Sequence, residues 1–418
     1  MTGNSSVFFK VHQILGMMAI VLLCAVFPVR AQTIDPESIK KIPRFDELSD
    51  EAFETATREV EETPQKYPFL AFTLRIPKNW ERSDLSEEKG AWDPDSLSQE
   101  KSSDFLNRSI LGLIAKYSGP SRFGIRSFIE VRAKELTRII SARNWFIHYI
   151  LTNGYSLEGM EVIGENRVEG LYVQIIDGVS YAVRVVCVLN GSQIVLMSYY
   201  MPVSEIQNEK AVQEKVVGSF SFLNPEQADV TLTRTYSFMG VMHFDYPYSL
   251  RLPAPKVYSF SEMELQLINA SEGNANVFTS IDIHVLAYNK VKSLSAEIVK
   301  LKQKMEEKKI KIGELYDVYK HYEVGDNIDF HRVEVYKAEG LDKKIVPHEY
   351  WVGILRDDTY FYIISMLTTG RTSDFYTWAQ NVEALEIIFK SIGKGPSPRQ
   401  LEEEKEATPS DDASYLSY

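Results

Sequence analysis

YAVRVVCVLNGSQIVLMSYYMP (Tyr181–Pro202) and EYWVGILRDDTYFYIISML (Glu349–Leu367) are two runs rich in Val, Ile and Tyr, each interrupted once by a short polar pair. Branched and aromatic side chains suit a pleated, half-buried surface, and Asn190-Gly191 and Asp357-Asp358 supply turn chemistry. Each run therefore predicts a long β-hairpin. Both hairpins have the same surroundings. SFIEVR (Ser127–Arg132), a helix expected over Lys134–Asn153 and YVQIID (Tyr172–Asp177) precede the first, and a closing helix ending in GSFSFL (Gly218–Leu223) follows it. SIDIHVLA (Ser280–Ala287), a helix over Leu294–Lys309 and FHRVEVYKAEG (Phe330–Gly340) precede the second, and a helix ending in IIFKSIG (Ile387–Gly393) follows it. The openings also match, FLAFTLRIPKNWE (Phe69–Glu81) beside MHFDYPYSLRLPAP (Met242–Pro255). The pattern is written twice.

Both helices carry an apolar stripe at three-to-four spacing: Leu136, Ile139, Ile140, Ile147, Ile150 and Leu151 in the first, and Val291, Leu294, Ile298, Leu301, Met305 and Ile312 in the second. Strand meanders flanked by helices predict an α+β class, two tandem sandwich domains of mainly antiparallel sheet covered by helices. The expected boundaries are a signal peptide (1–31), an N-terminal arm with a short helix near Asp46–Glu62 (32–67), a first domain (68–223), a linker (224–233), a second domain (234–392) and a disordered acidic tail (393–418).

Lys10, the apolar run Ile14–Phe27 and small residues around Val29-Arg30-Ala31 form a secretory signal pattern, with cleavage expected after Ala31. The run is short for a spanning helix, and no later stretch approaches the ~20 apolar residues that spanning needs. Cys24 lacks a small neighbour at Leu23, which weakens a lipoprotein reading. Cleavage removes Lys10 and Arg30 and no acid, so a net charge of −12 becomes −14, which argues against nucleic acid as a partner. Cys187 is then the sole cysteine, so packed cores rather than disulfides must hold the chain, and its VVCVL context predicts a buried, inert thiol.

Catalytic patterns are scarce. His148, His243, His284, His321, His331 and His348 make no HExxH pair. HYEVGDNIDFH (His321–His331) has ligand chemistry for a metal, but reads better as a solvated loop. Asp93/Asp95 and Asp357/Asp358 read as turns, since neither offers the separated environments that an acid and a base require. No phosphate-binding, dinucleotide or nucleophile-elbow glycine signature is present, so no catalytic, metal or cofactor residue is assigned. The sequons at Asn107, Asn190 and Asn269 leave an extracellular address open. Adjacent aromatics in the hairpins, Tyr199-Tyr200 and Tyr360-Phe361-Tyr362, must point to opposite sheet faces. Where a face is uncovered, Tyr199, Tyr200, Tyr360 and Tyr362 would form a protein-binding patch; where it is covered, they are core.

FTLRIPKNW (Phe72–Trp80), with its apolar-x-Pro-x-x-Trp turn, resembles the opening of Mog1/PsbP-like domains. The order of helix, paired strands, long hairpin and a helix ending in a Ser-Phe/Ile strand (Val212–Leu223, Val382–Ile392) matches as well. The second copy departs at Leu252-Pro253-Ala254-Pro255, which has no tryptophan. The resemblance covers about residues 68–392. It implies an α/β sandwich and a noncatalytic adaptor habit, and it carries over no catalytic residue. The expected function is a secreted or periplasmic binding or scaffold protein with a protein partner in the cell envelope, possessing no cofactor. A hydrolase or metal-dependent enzyme with an interdomain site is the alternative.

Overall fold

The first copy opens with β1 (Thr57–Glu62) and β2 (Phe72–Pro77), which pair antiparallel in the register Val60 to Leu74. In β2, Phe72, Leu74 and Ile76 are buried while the residues between them are not, the period-two alternation that FTLRIP predicts. After β3 (Glu81–Arg82) come β4 (Gly112–Ser118), β5 (Phe128–Glu135), the helix between Ala142 and Asn153, and β6 (Ser156–Gly164). Next are β7 (Arg167–Ile176), β8 (Val179–Asn190), β9 (Gln193–Pro202), the helix Ile206–Gly218 and β10 (Ser221–Phe222). A short helix, Asp50–Ala56, precedes β1, so these three helices are α1, α2 and α3 in chain order.

The second copy runs β11 (Thr233–Phe238), β12 (Met242–Pro247), β13 (Leu250–Arg251), β14 (Lys256–Ser259), β15 (Glu262–Asn269), β16 (Ile281–Ala287) and α4 (Leu294–Glu307). It continues with β17 (Ile310–Tyr319), β18 (Phe330–Gly340), β19 (His348–Arg356), β20 (Tyr360–Thr369), α5 (Phe375–Ser391) and β21 (Gly393–Lys394). This computed structural model describes residues 39–45, 47–64, 68–85, 111–136, 138–164, 166–225, 233–238, 242–269, 280–319, 322–340 and 348–395. The signal peptide, Asp93/Asp95, the Asn107 sequon, most of the linker, His321 and the tail from 396 lie outside them.

Strand order repeats. The first large sheet runs β3-β4-β5-β9-β8-β7-β6, the second β13-β15-β16-β20-β19-β18-β17, and each half adds a three-stranded sheet, β1-β2-β10 and β11-β12-β21. All the pairings are antiparallel, and with the flanking helices they make an α+β sandwich. Among the described residues, β14, which pairs only with β15, has no counterpart in the first half.

Helices and small sheets cover both faces of each large sheet. In the first half, Leu74, Trp80, Val216 and Phe220 pack against Tyr117, Val131, Met197 and Tyr199 on one face. On the other, the α2 ring of Phe146 rests on Gly170, where an added Cβ would lie 2.2 Å from it. In the second half, Leu301 and Met305 of α4 pack on Tyr350, Val352 and Ile354, while Phe389 of α5 sits over Gly353 from the opposite side. Double cover explains why β9 is buried at all ten positions and reads as one apolar run rather than an alternation.

Two elements differ from expectation. The helix expected from Lys134 starts at Ala142; Lys134 and Glu135 complete β5, and Ser141, with extended backbone, caps the helix by accepting from the Asn144 N–H. The helix expected through Glu62 ends at Ala56, because TREVEE alternates and takes the free edge of β2. From Lys40 onward the described residues form one compact unit. Inside it, Glu383 of α5 accepts from the Ser141 backbone (2.7 Å), the Ser141 hydroxyl (2.6 Å) and the Asn144 amide (2.6 Å), joining the second half to the start of α2.

Candidate interaction surface

Three of the four sequence-nominated aromatics are core residues. Tyr199 donates to Glu209 (3.3 Å) beneath α3 and packs on Trp80, with ring centroids 5.1 Å apart. Tyr200, on the opposite face, stacks on Phe128 at 4.4 Å. Tyr362 is fully buried and donates to Asp357 at 2.5 Å. The physical reason is the double cover: alternation sends neighbouring rings to opposite faces, and neither face is open. Tyr360 alone lies near the surface, half-buried, with its O–H donating to the carbonyl of Phe260 at 3.1 Å.

The buried acids are committed to structure. Glu349 accepts from Arg371 (2.8 Å), Trp351 (3.1 Å) and Trp378 (2.9 Å). Burial opposes the charge of Arg371, but Glu349 outweighs it and holds the guanidinium above its usual range. Asp357 closes the β19–β20 turn by accepting from the Thr359 and Tyr360 N–H groups, both at 2.7 Å, and Asp358 pairs with Lys394. Around the expected loop, Glu323 pairs with Lys390 and Asp329 with Arg356. No group of three or more His, Cys, Asp or Glu placed to hold a metal occurs among the described residues. Cys187 is fully buried, its S–H directed at the Ala142 carbonyl (3.8 Å), and burial pushes its thiol up.

Part of the expected arm is built into the first half. Arg44 reaches Glu161 (2.7 Å) and Glu169 (3.0 Å), Phe45 N–H donates to Glu214 (2.7 Å), and the fully buried Arg184 donates to the Pro43 carbonyl (3.2 Å). Burial lowers the affinity of Arg184 for its proton, opposed by Glu214 and Glu169.

Large apolar side chains lie exposed at several places, Phe123 and Ile175 in the first half and Leu315 and Tyr316 on β17 among them, and β14 carries one cluster of them. All four of its residues are exposed, and Val257, Tyr258 and, in the turn, Phe260 keep 47%, 60% and 74% of their surface open. The register slips between Val257 and Ser259, a bulge at the sheet edge. Tyr258 donates to Glu264 (3.2 Å), which also accepts from Lys304 of α4 (3.0 Å). Burial opposes ionisation of Glu264, but Lys304 outweighs it and holds the carboxyl below its usual range. The Ala287 N–H donates to Ser261 (2.9 Å), placing the exposed Tyr288 beside the same turn. A groove elsewhere is lined by Leu136, Arg138, Ile139, Ile140, Leu189 and Tyr248, with no carboxylate or imidazole in its wall.

The β14 hairpin carries a local sequence signal that the two long hairpins overshadow. Val257 and Tyr258, then Met263, Leu265 and Leu267, flank the Phe260-Ser261 turn in a two-residue rhythm.

No helix among the described residues is long and apolar enough to cross a membrane. No family model matches the chain, and no curated protein matches it. Among solved structures, the chain is similar to the solution structure of cyanobacterial PsbP (CyanoP) from Synechocystis sp. PCC 6803. That match has 11% identity over 40% of this chain and 93% of that one, with a TM-score of 0.29. It is also similar to a chain of the Tle4–Tli4 complex, at 11% identity over 82% of this chain and 99% of that one, with a TM-score of 0.21. At such scores neither likeness carries an argument about activity, and the fold class stands on the strand pairings themselves.

Proposed function

We propose that this chain is a non-catalytic binding or scaffold protein of the cell envelope, made of tandem Mog1/PsbP-like sandwich units and exported by a signal cleaved after Ala31. One observation carries the reading: an exposed aromatic strand edge, Val257, Tyr258 and Phe260, on a scaffold whose other large side chains are mostly inside. Exposed aromatics clustered at one place mark interaction sites, since Tyr and other rings supply most of the binding energy at protein interfaces. The engagement of the buried acids with arginine, tryptophan and backbone partners supports it further, because groups so committed hold the fold together.

The test is purification of tagged full-length protein from the envelope fraction of its own cells, with the mass of the complex measured by native mass spectrometry. A protein partner at fixed stoichiometry is expected, together with a mature N-terminus at Gln32. A chain that remains alone across envelope preparations would refute binding, and a retained leader would refute cleavage. Deleting residues 394–418 tests whether the tail takes part in docking.

A further inference from the structure

Each half has an end where the turn of its long hairpin meets the close of a neighbouring strand. In the first half the Leu136 N–H, just past β5, donates to the Ser192 carbonyl in the β8–β9 turn (2.7 Å). In the second, the Tyr288 N–H, just past β16, donates to the Thr359 carbonyl in the β19–β20 turn (3.3 Å). The two ends match in register, Glu135 facing Gln193 and Ala287 facing Tyr360. At the first end, chain from beyond β10 closes in: Tyr248 and Ser249, between β12 and β13, line a groove with Leu136, Ile139, Leu189 and Gly191. At the second end the described residues stop at Gly395, and Lys394 contacts Asp358 (3.0 Å) and the Thr359 hydroxyl (3.1 Å). Tyr258, Phe260 and Tyr288 lie exposed beside that turn, linked to it by Tyr360, which donates to the Phe260 carbonyl.

Residues 396–418 follow and include Tyr415-Leu416-Ser417-Tyr418. Tyr248 lies 26 residues past Phe222, the last of β10, while Tyr415 and Tyr418 lie 21 and 24 past Lys394, the last of β21. We infer that residues 396–418 fold back over this end of the second sheet and seat Tyr415 and Tyr418 against Phe260 and Tyr288, in the place that Tyr248 takes at the first. A segment of 23 residues reaches up to ~75 Å when extended, so the span is available. Tethering also holds the rings at a roughly millimolar effective concentration, at which a weak contact forms. Ring-on-ring packing supplies that contact, and the short bulged edge of β14 takes no part in it. The fold-back stands without the protein-binding reading. Its regulatory consequence rests on that reading, since a partner using these rings must first displace the tail.

The experiment places the photoreactive residue p-benzoylphenylalanine at position 260 of the full chain, irradiates it, and maps the cross-links by mass spectrometry. Cross-links within one chain to residues 408–418 are expected. The same group at position 123, exposed on the first half, serves as the control and should give none. The double variant Tyr415→Ser/Tyr418→Ser should cut the yield from position 260 by about tenfold, with its melting temperature unchanged. Amide exchange at residues 257–261 and 287–290 should quicken several-fold in the same variant.

Tail cross-links of equal yield from positions 260 and 123 overturn the proposal, as does a yield from position 260 that ignores the two tyrosines. So do cross-links that bridge two chains, which would make a second copy the occupant, or amide exchange that stays the same in the double variant. Recovery of the envelope complex should rise several-fold with Tyr415→Ser/Tyr418→Ser. Unchanged recovery sinks the displacement step and leaves the protein-binding reading intact. Absence of any envelope complex sinks that reading instead, while the cross-link within one chain still decides the fold-back.

Discussion

Replacing Glu386 with glutamine is expected to stabilise the protein at pH 8 and to flatten its response to pH. Glu386 is half-buried on α5, one turn beyond Glu383. Burial is the largest influence on it and the charge of Glu383 adds to that; Lys390, Tyr322 and Arg143 oppose them, and the carboxyl is pushed from 4.5 up to about 7. Between those values the folded chain holds a proton that the unfolded chain has released. Stability therefore falls as pH rises from about 4.5 to about 7 and is level above that. At about 1.4 kcal/mol per pH unit the displacement corresponds to about 3 kcal/mol, which solvent at a partly exposed carboxyl trims to about 1–3 kcal/mol.

Glutamine keeps the shape, cannot ionise, and still accepts from the Tyr322 hydroxyl, now 3.4 Å from the carboxylate. Urea unfolding of both proteins at pH 5, 6, 7 and 8 gives the difference curve, in which other titrating groups cancel. The curve should rise with pH by about 1–3 kcal/mol and flatten above about pH 7, with no change in the urea dependence of the unfolding free energy. Parallel curves, or a glutamine variant less stable at pH 8, would show that burial does not control this carboxyl.

Gly353→Ala places a Cβ 2.3 Å from the Phe389 ring and should cost about 1–3 kcal/mol in denaturant unfolding, with part of the loss recovered when Phe389→Leu is added. A neutral Gly353→Ala would disprove the close approach. Arg44→Ala removes the links to Glu161 and Glu169; it should cost about 1–3 kcal/mol and open residues 40–45 to limited proteolysis, and an unchanged cleavage pattern would mean the arm is held by other contacts. Cys187 should resist a thiol reagent in the native protein and react fully once the chain is unfolded, so rapid native labelling would contradict its burial.

Local rules carried far along this chain. The hairpins around Asn190-Gly191 and Asp357-Asp358, the helix beginning at Leu294 and the alternation of FTLRIP all appear as read, since each depends on spacing within a few residues. The misreadings fall where a distant partner intervenes. Leu136, Ile139 and Ile140 repeat at helical spacing, yet Lys134-Glu135 finish a strand paired with β9, and the helix waits for Ser141, which Glu383 holds from 242 residues away. Thr57–Glu62 carries helix-forming glutamates, yet the edge of β2 claims it. The aromatics follow the same logic: alternation states that Tyr199 and Tyr200 face apart, and says nothing about what lies over either face.

The strand runs, the turns, the helix at Leu294 and the repetition of one α+β pattern follow from periodicity and turn chemistry, which are properties of neighbouring residues. Which rings are core and which are surface depends on long-range packing. Tyr199, Tyr200 and Tyr362 vanish beneath helices and small sheets, whereas Tyr258 and Phe260 stay open on an edge that nothing covers among the described residues. Exposure is set by elements far away in the chain, and no local spacing records it.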